Sequence, residues 1–196
     1  MRITTSFDYA ATPEDVFSML ADPEFQAAKV EATHPLSHAE SVTPKGEQTE
    51  IVTSRVISTD GFPDFAKSMI GPKLRVTETI IWSRASADGS RTGTINIAIG
   101  DAPVAMNGTV RMGPGGSGTR IDVDGDLKAK VPLVGGKIEK AAEGPILGAI
   151  DTERRSAPPG WPPDCRPPLP VGGISERSSA RWALHRSWVS AQPMCG

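Results

Sequence analysis

Between residues 36 and 130 the chain reads as a succession of strand-like runs, each cut from the next by a turn signal. The runs fall at about 36–43, 48–59, 73–84, 91–100, 104–112 and 118–130. Pro44-Lys45-Gly46, Ala87-Asp88-Gly89-Ser90, Gly100-Asp101-Ala102-Pro103 and Gly113-Pro114-Gly115-Gly116 separate them, all in the manner of hairpin loops. Short loops of this kind force neighbouring strands to run antiparallel, so a meandering sheet is the economical outcome. One link differs. Phe62, Phe65 and Met69 fall at i, i+3 and i+7 with Pro63 near the start, which predicts a short amphipathic helix.

The flanks complete the order. Ile3, Thr5, Phe7 and Tyr9 alternate with Arg2, Thr4, Ser6 and Asp8, the pattern of a half-buried strand. Thr12-Pro13-Glu14-Asp15 and then Asp22-Pro23-Glu24 place a capping residue, a proline and acids at the start of two short helices. Val16, Phe17 and Leu20 form the apolar face of the first, and Phe25, Ala28 and Ala32 that of the second. After Val131-Pro132 the period turns helical, with Val134, Ile138, Ala142, Ile146 and Ile150 on one stripe and Pro145 expected to kink it. The fold class is therefore α+β: about seven strands in one curved antiparallel sheet, two short helices after the first strand, and a long final helix against the sheet.

Two unlike pieces make up the 196 residues. Residues 1–155 carry the patterns above. Residues 156–196 hold 8 of the 18 prolines, both cysteines and three of the four tryptophans, with no lysine. So dense a run of proline forbids helix and central strand, and this tail is read as non-globular. It is either a disordered extension or the product of a shifted reading frame, and Cys165 and Cys195 receive no role. Truncation after Arg155 is expected to leave a folded domain. A net charge of −2 argues against a general nucleic-acid binder. With no apolar run of membrane-spanning length and no signal-peptide pattern, the reading is a soluble, cytoplasmic protein.

Several motifs dissolve on inspection. Gly113 to Gly118 matches G-x-G-x-x-G, but a strand follows instead of the helix whose N-terminus would hold phosphate. Asp122, Asp124 and Asp126 share one strand face and lack the glycine and glutamate positions of a calcium loop, so they are read as solvated. Gly135-Gly136-Lys137 lacks the rest of a phosphate loop, and Asn107-Gly108-Thr109 is a strand or turn piece. His34, His38 and Glu40 are a weak metal set, split by Pro35. No catalytic residue, metal or cofactor is assigned.

The element order resembles that of the START-like helix-grip superfamily, which includes pollen-allergen and polyketide-cyclase types, over residues 1–154. Within it, Val131 to Glu139, Phe25 to Lys29, Thr77-Glu78 and Trp82 resemble the branch termed domain of unknown function 2505. That resemblance implies a fold and a cavity, with no reaction to carry over. It departs at the C-terminus, where such a final helix would continue past Arg155.

Polar residues on apolar faces point to the site. Leu74, Val76, Glu78, Ile80 and Trp82 share a strand face, as do Ile51, Thr53, Arg55 and Ile57. A lone buried ion is costly. Either Arg55 and Glu78 meet inside a cavity and orient a ligand head, or the opposite strand faces point inward and both ions are solvated. Arg55, Glu78, Phe65, Met69, Trp82, Ile97, Met106, Val110, Ile138 and Ala142 form the expected ligand-binding set, with residues 62–70 as a lid. The expected function is binding of a hydrophobic small molecule or lipid between sheet and final helix. The alternatives are a cyclase- or hydrolase-type enzyme with Glu78 as acid/base, or a ligand-free protein-interaction module.

Overall fold

The computed structural model describes residues 1–157 apart from 101, 103 and 117, and only the backbone of residues 66 and 69. The proline-rich tail from 158 onward, with Cys165 and Cys195, lies outside the described residues. Seven strands form one antiparallel sheet: β1 (Arg2–Tyr9), β2 (Ser37–Lys45), β3 (Gln48–Ser58), β4 (Lys73–Trp82), β5 (Arg91–Ile99), β6 (Val104–Gly115) and β7 (Gly118–Ala129). Their order is β1-β7-β6-β5-β4-β3-β2. The hairpins carry the chain from β2 across to β7, which then pairs with β1 in a register running from Arg2↔Asp126 to Tyr9↔Thr119. Because β1 and β2 occupy opposite edges, the link between them must cross the sheet. It does so as α1 (Pro13–Leu20) and α2 (Pro23–Glu31).

The expected capping signals operate as read. The Asp15 amide donates to the Thr12 hydroxyl at 3.2 Å, and the Glu24 amide donates to the Asp22 carboxylate at 2.8 Å. These caps satisfy helix-start N–H groups that have no partner within the helix. α3 (Asp64–Ile70) occupies the β3–β4 link, and α4 (Gly135–Arg155) closes the described chain, continuing through Pro145. Together this is the helix-grip fold: a curved sheet gripping one long helix.

Strand alternation sends one face inward. Phe7, Tyr9, Val16, Leu20, Phe25, Ile51, Trp82, Val110, Ile121 and Val123 belong to one buried cluster. Ile3, Leu74, Val76, Ile95, Ile97, Met106, Leu127 and Ile146 belong to a second. Ile80 and Ile150 pack against both. The second helix corrects the sequence reading. Its inward residues are Phe25, Gln26, Lys29 and Val30, while Ala28 is half-buried and Ala32 exposed. Spacing i, i+1, i+4, i+5 is an ordinary helix face; two of its members are polar, so an apolar count misses them. Of the final helix stripe only Ile146 is fully buried, with Ile138, Ala142, Leu147 and Ile150 half-buried against the second cluster.

One pair of glycines is required by close approach. Gly108 and Gly125 face each other across β6 and β7. A Cβ on Gly108 would collide with the Asp124 carbonyl oxygen, and one on Gly125 would lie 2.7 Å from the Met106 sulfur. The G-x-G-x-x-G segment forms the β6–β7 hairpin, with Gly115 paired to Gly118 and Gly116 at φ +55. Asp122, Asp124 and Asp126 point outward and pair with Arg120, Arg2 and Lys128.

Candidate functional site

The inner faces of β3 and β4 bring polar groups to an apolar wall. Glu78 is buried on the same face as Leu74, Val76 and Trp82, which settles which face of β4 points inward. Thr53 lies opposite Glu78, and Arg55 lies opposite Val76, so Arg55 is the diagonal neighbour of Glu78 on that face. The two ions do not form the expected pair. Lys29, reaching in from α2, places its ammonium 3.0 Å from Glu78 and 3.0 Å from Glu153 of α4. Arg55 forms no ion pair among the described residues. The Asp22-Pro23 helix start sets the rotation of α2, and Lys29 is four residues beyond the buried Phe25. That spacing was the one available sign of its burial. One ammonium therefore ties α2, β4 and α4 together.

The electrostatics follow from this geometry. Burial alone would lower the Lys29 pKa, but the charges of Glu153 and Glu78 and their hydrogen bonds outweigh it and hold it above the usual lysine value. For Glu78, burial would raise the carboxyl pKa. Lys29 at hydrogen-bond distance, and Arg55 at longer range, overcome that and hold it below the ordinary glutamate value. Glu78 is thus an ionised carboxylate at neutral pH, a poor candidate for a general acid.

An internal cavity of about 30 Å³ lies beside this centre. Phe7, Leu20, Ile51, Ile80, Trp82, Ile95, Val110, Ile121, Val123 and Ile150 supply its apolar wall, and Gln26, Lys29, Thr33, Arg55, Glu78 and Glu153 its polar part. Its two cations and two carboxylates sum to zero charge. Three neutral groups are left over: Trp82 Nε1, Gln26 Oε1 and Thr53 Oγ1 are buried with no hydrogen-bond partner among the described residues. Trp82 is fixed by its neighbours, with the Phe17 ring edge-on at 6.5 Å and the Arg91 guanidinium 3.6 Å above that ring.

Four of the expected binding residues border this cavity: Arg55, Glu78, Trp82 and Val110. Ile97 and Met106 are buried in the second cluster, and Ile138 and Ala142 pack on its edge. Phe65 is partly exposed, and the Met69 side chain lies outside the described residues. No described residue of α3 borders the cavity. Phe62 and Ile70 pack on the second cluster. The cavity lies under the C-terminal half of α4, at Ala149, Ile150 and Glu153, away from the β3–β4 link. His38 sits between Glu40 at 3.0 Å and Glu31 at 3.6 Å and lies opposite Arg55 in the β2–β3 register, without itself lining the cavity.

The family described as "Protein of unknown function (DUF2505)" matches residues 4–158. The uncharacterized protein Rv0481c of Mycobacterium tuberculosis is 24% identical over 159 residues, covering 76% of this chain and 90% of its own. Uncharacterized protein Mb0491c of Mycobacterium bovis matches at the same 24% over 159 residues. Among solved structures, TTHA0849 from Thermus thermophilus is similar with a TM-score of 0.52 and 16% identity, over 80% of this chain and 93% of that one. At that identity the likeness is one of fold.

Proposed function

The chain belongs to the DUF2505 family, and on its helix-grip fold we propose that it binds a compact, uncharged hydrophobic molecule bearing one hydrogen-bonding group. The observation that carries the reading is the unpartnered Trp82 Nε1 and Gln26 Oε1, both on residues that line an otherwise apolar cavity. Buried polar groups without partners are costly, and a ligand hydroxyl can both accept from the Trp82 Nε1–H and donate to Gln26 Oε1. The charge sum of zero over Lys29, Arg55, Glu78 and Glu153 favours an uncharged guest, since an ionised one would add an uncompensated charge.

Size favours a compact molecule over a long acyl chain. At about 30 Å³ the cavity has room for a water or two, whereas benzene occupies an engineered cavity of about 150 Å³. Binding must push a wall outward, and the α4 wall is the weakest. Gly144, Pro145 and Gly148 interrupt that helix beside Ala149 and Ile150, and each lowers helix stability. Of the acid/base roles that the cyclase or hydrolase alternative would give Glu78, its lowered pKa speaks against that of acid, and its ion pair with Lys29 weakens it as a base.

Native mass spectrometry of the full chain tests this. A neutral organic adduct of small mass, lost on denaturation and diminished in a folded Val110→Leu variant whose one added methylene takes up the cavity, is expected. A preparation that carries no adduct and takes up neither cyclohexanol nor phenol would refute it.

A further inference from the structure

The turn between β7 and α4 holds a combination that neither the fold nor the cavity requires. Leu133 is fully exposed, and its backbone sits at φ +66, a left-handed conformation that a leucine adopts at a cost. A strained, fully solvated leucine does nothing for the stability of the fold. In the sequence flanking it come Lys130 and, in the first half of α4, Lys137 and Lys140, all exposed and none in an ion pair among the described residues.

Two acids of this stretch, Glu139 and Asp126, are already engaged, which leaves Glu143, one turn further along α4, as the remaining one. Glu139 accepts from the Met1 amino group at 3.1 Å and from the Ala129 amide at 3.0 Å. Asp126 lies 2.7 Å from Lys128. The first turn of α4 carries no acidic residue. Lys137 and Lys140 stand three apart on one helix, a like-charge spacing that is unfavourable unless something negative lies outside.

The same end of the sheet carries a second apolar side chain. Register pairs Ser58↔Lys73, Val76↔Ile99, Ala98↔Ala105 and Val104↔Ala129 bring the β3–β4 link and the β7–α4 turn out at one end. α3, with Phe65 partly exposed, lies in the first of these links.

We propose that this end of the molecule docks reversibly on an anionic lipid bilayer, with Leu133 inserted at the headgroup boundary and Lys130, Lys137 and Lys140 on the lipid phosphates. Surface attraction of basic residues and insertion of an apolar one are the two contributions that such binding needs, and each is modest alone.

Vesicle co-sedimentation of the full chain distinguishes the outcomes, with vesicles of phosphatidylcholine alone and with 30% phosphatidylglycerol as probes. The chain is expected to sediment with the anionic vesicles and not the neutral ones, and to be released by 0.5 M salt. Replacing Lys130, Lys137 and Lys140 together by Gln should weaken the partition roughly a hundredfold, from the usual contribution of each lysine near such a surface. Leu133→Ser should weaken it several-fold and leave the circular dichroism unchanged. Absence of binding to anionic vesicles overturns the proposal. So does binding that neither variant alters, which would assign it to the arginines beyond residue 157.

Discussion

Replacing Lys29 by Met should be the most damaging single change of a charged residue in this molecule. The ammonium is held between Glu78 and Glu153, whose side chains are only 11% and 16% exposed. Methionine fills much the same volume, so the loss is electrostatic: two carboxylates remain in a largely apolar setting with Arg55 alone at a distance. Breaking a buried pair by removing one partner costs about 3–5 kcal/mol. For a chain of this size that lowers the melting temperature by roughly 6–20 °C. The pH dependence gives a sharper signature. In the wild type, the contribution of Glu78, whose folded pKa is lowered, is present above the ordinary glutamate range and lost as pH falls through the folded value. That of Lys29, whose folded pKa is raised, is present below the ordinary lysine range and lost as pH rises through the folded value. In Lys29→Met, burial is left to push Glu78 upward, so protonation relieves the stranded charge. The deficit relative to wild type should therefore shrink from pH 7 to pH 5 in urea titrations. A loss under about 1 kcal/mol, the scale of a surface pair, or a deficit that ignores pH, would refute the buried centre.

Other substitutions probe the packing and the cavity. Gly108→Ala forces a Cβ into the Asp124 carbonyl and should cost more than about 2 kcal/mol in chemical denaturation. Gly148→Ala, in the interior of α4 with open space around it, should stabilise by about 0.5–1 kcal/mol. Trp82→Phe removes the buried Nε1 and should weaken binding of cyclohexanol, measured by calorimetry, at a stability cost of about 1–2 kcal/mol for the void the smaller ring leaves in the core. Truncation after Ala157, which packs against the first cluster, should leave the melting temperature of the remaining domain within a degree or two of the full chain.

Most of the fold was legible because its information is local. Turn residues at 44–46, 87–90 and 113–116 fix the hairpins, and strand alternation fixes which side of β4 carries Glu78. Caps at Thr12 and Asp22 announce both short helices. The site was legible in part. Glu78, Arg55, Trp82 and Val110 stand on strands whose alternation shows which residues share a face, though burial alone decides which face turns inward, and all four border the cavity. Lys29 and Glu153 were not legible, because their meeting depends on how α2 and α4 are docked, which no local period encodes. A lysine on a helix reads as solvated, and only the three-way contact makes its burial tolerable. The spacing of Phe62 and Phe65 announces the helix of the β3–β4 link, whereas the packing of Phe62 on the second cluster is set by the sheet end from which that link emerges.

Entry of an uncharged hydrophobic guest into the cavity beside Lys29 and Glu78, the function proposed above, has a direct signature in the methyl groups that line it. The most direct measurement is methyl NMR of isoleucine-labelled full-length protein titrated with cyclohexanol and, separately, with cyclohexanecarboxylate. Cyclohexanol should shift the methyls of Ile51, Ile80, Ile95, Ile121 and Ile150, which line the cavity, and leave Ile3 and Ile97 in the second cluster unmoved, while the carboxylate at equal concentration shifts none. Equal response to both compounds, or shifts at Ile3 and Ile97 without the cavity methyls, would contradict it.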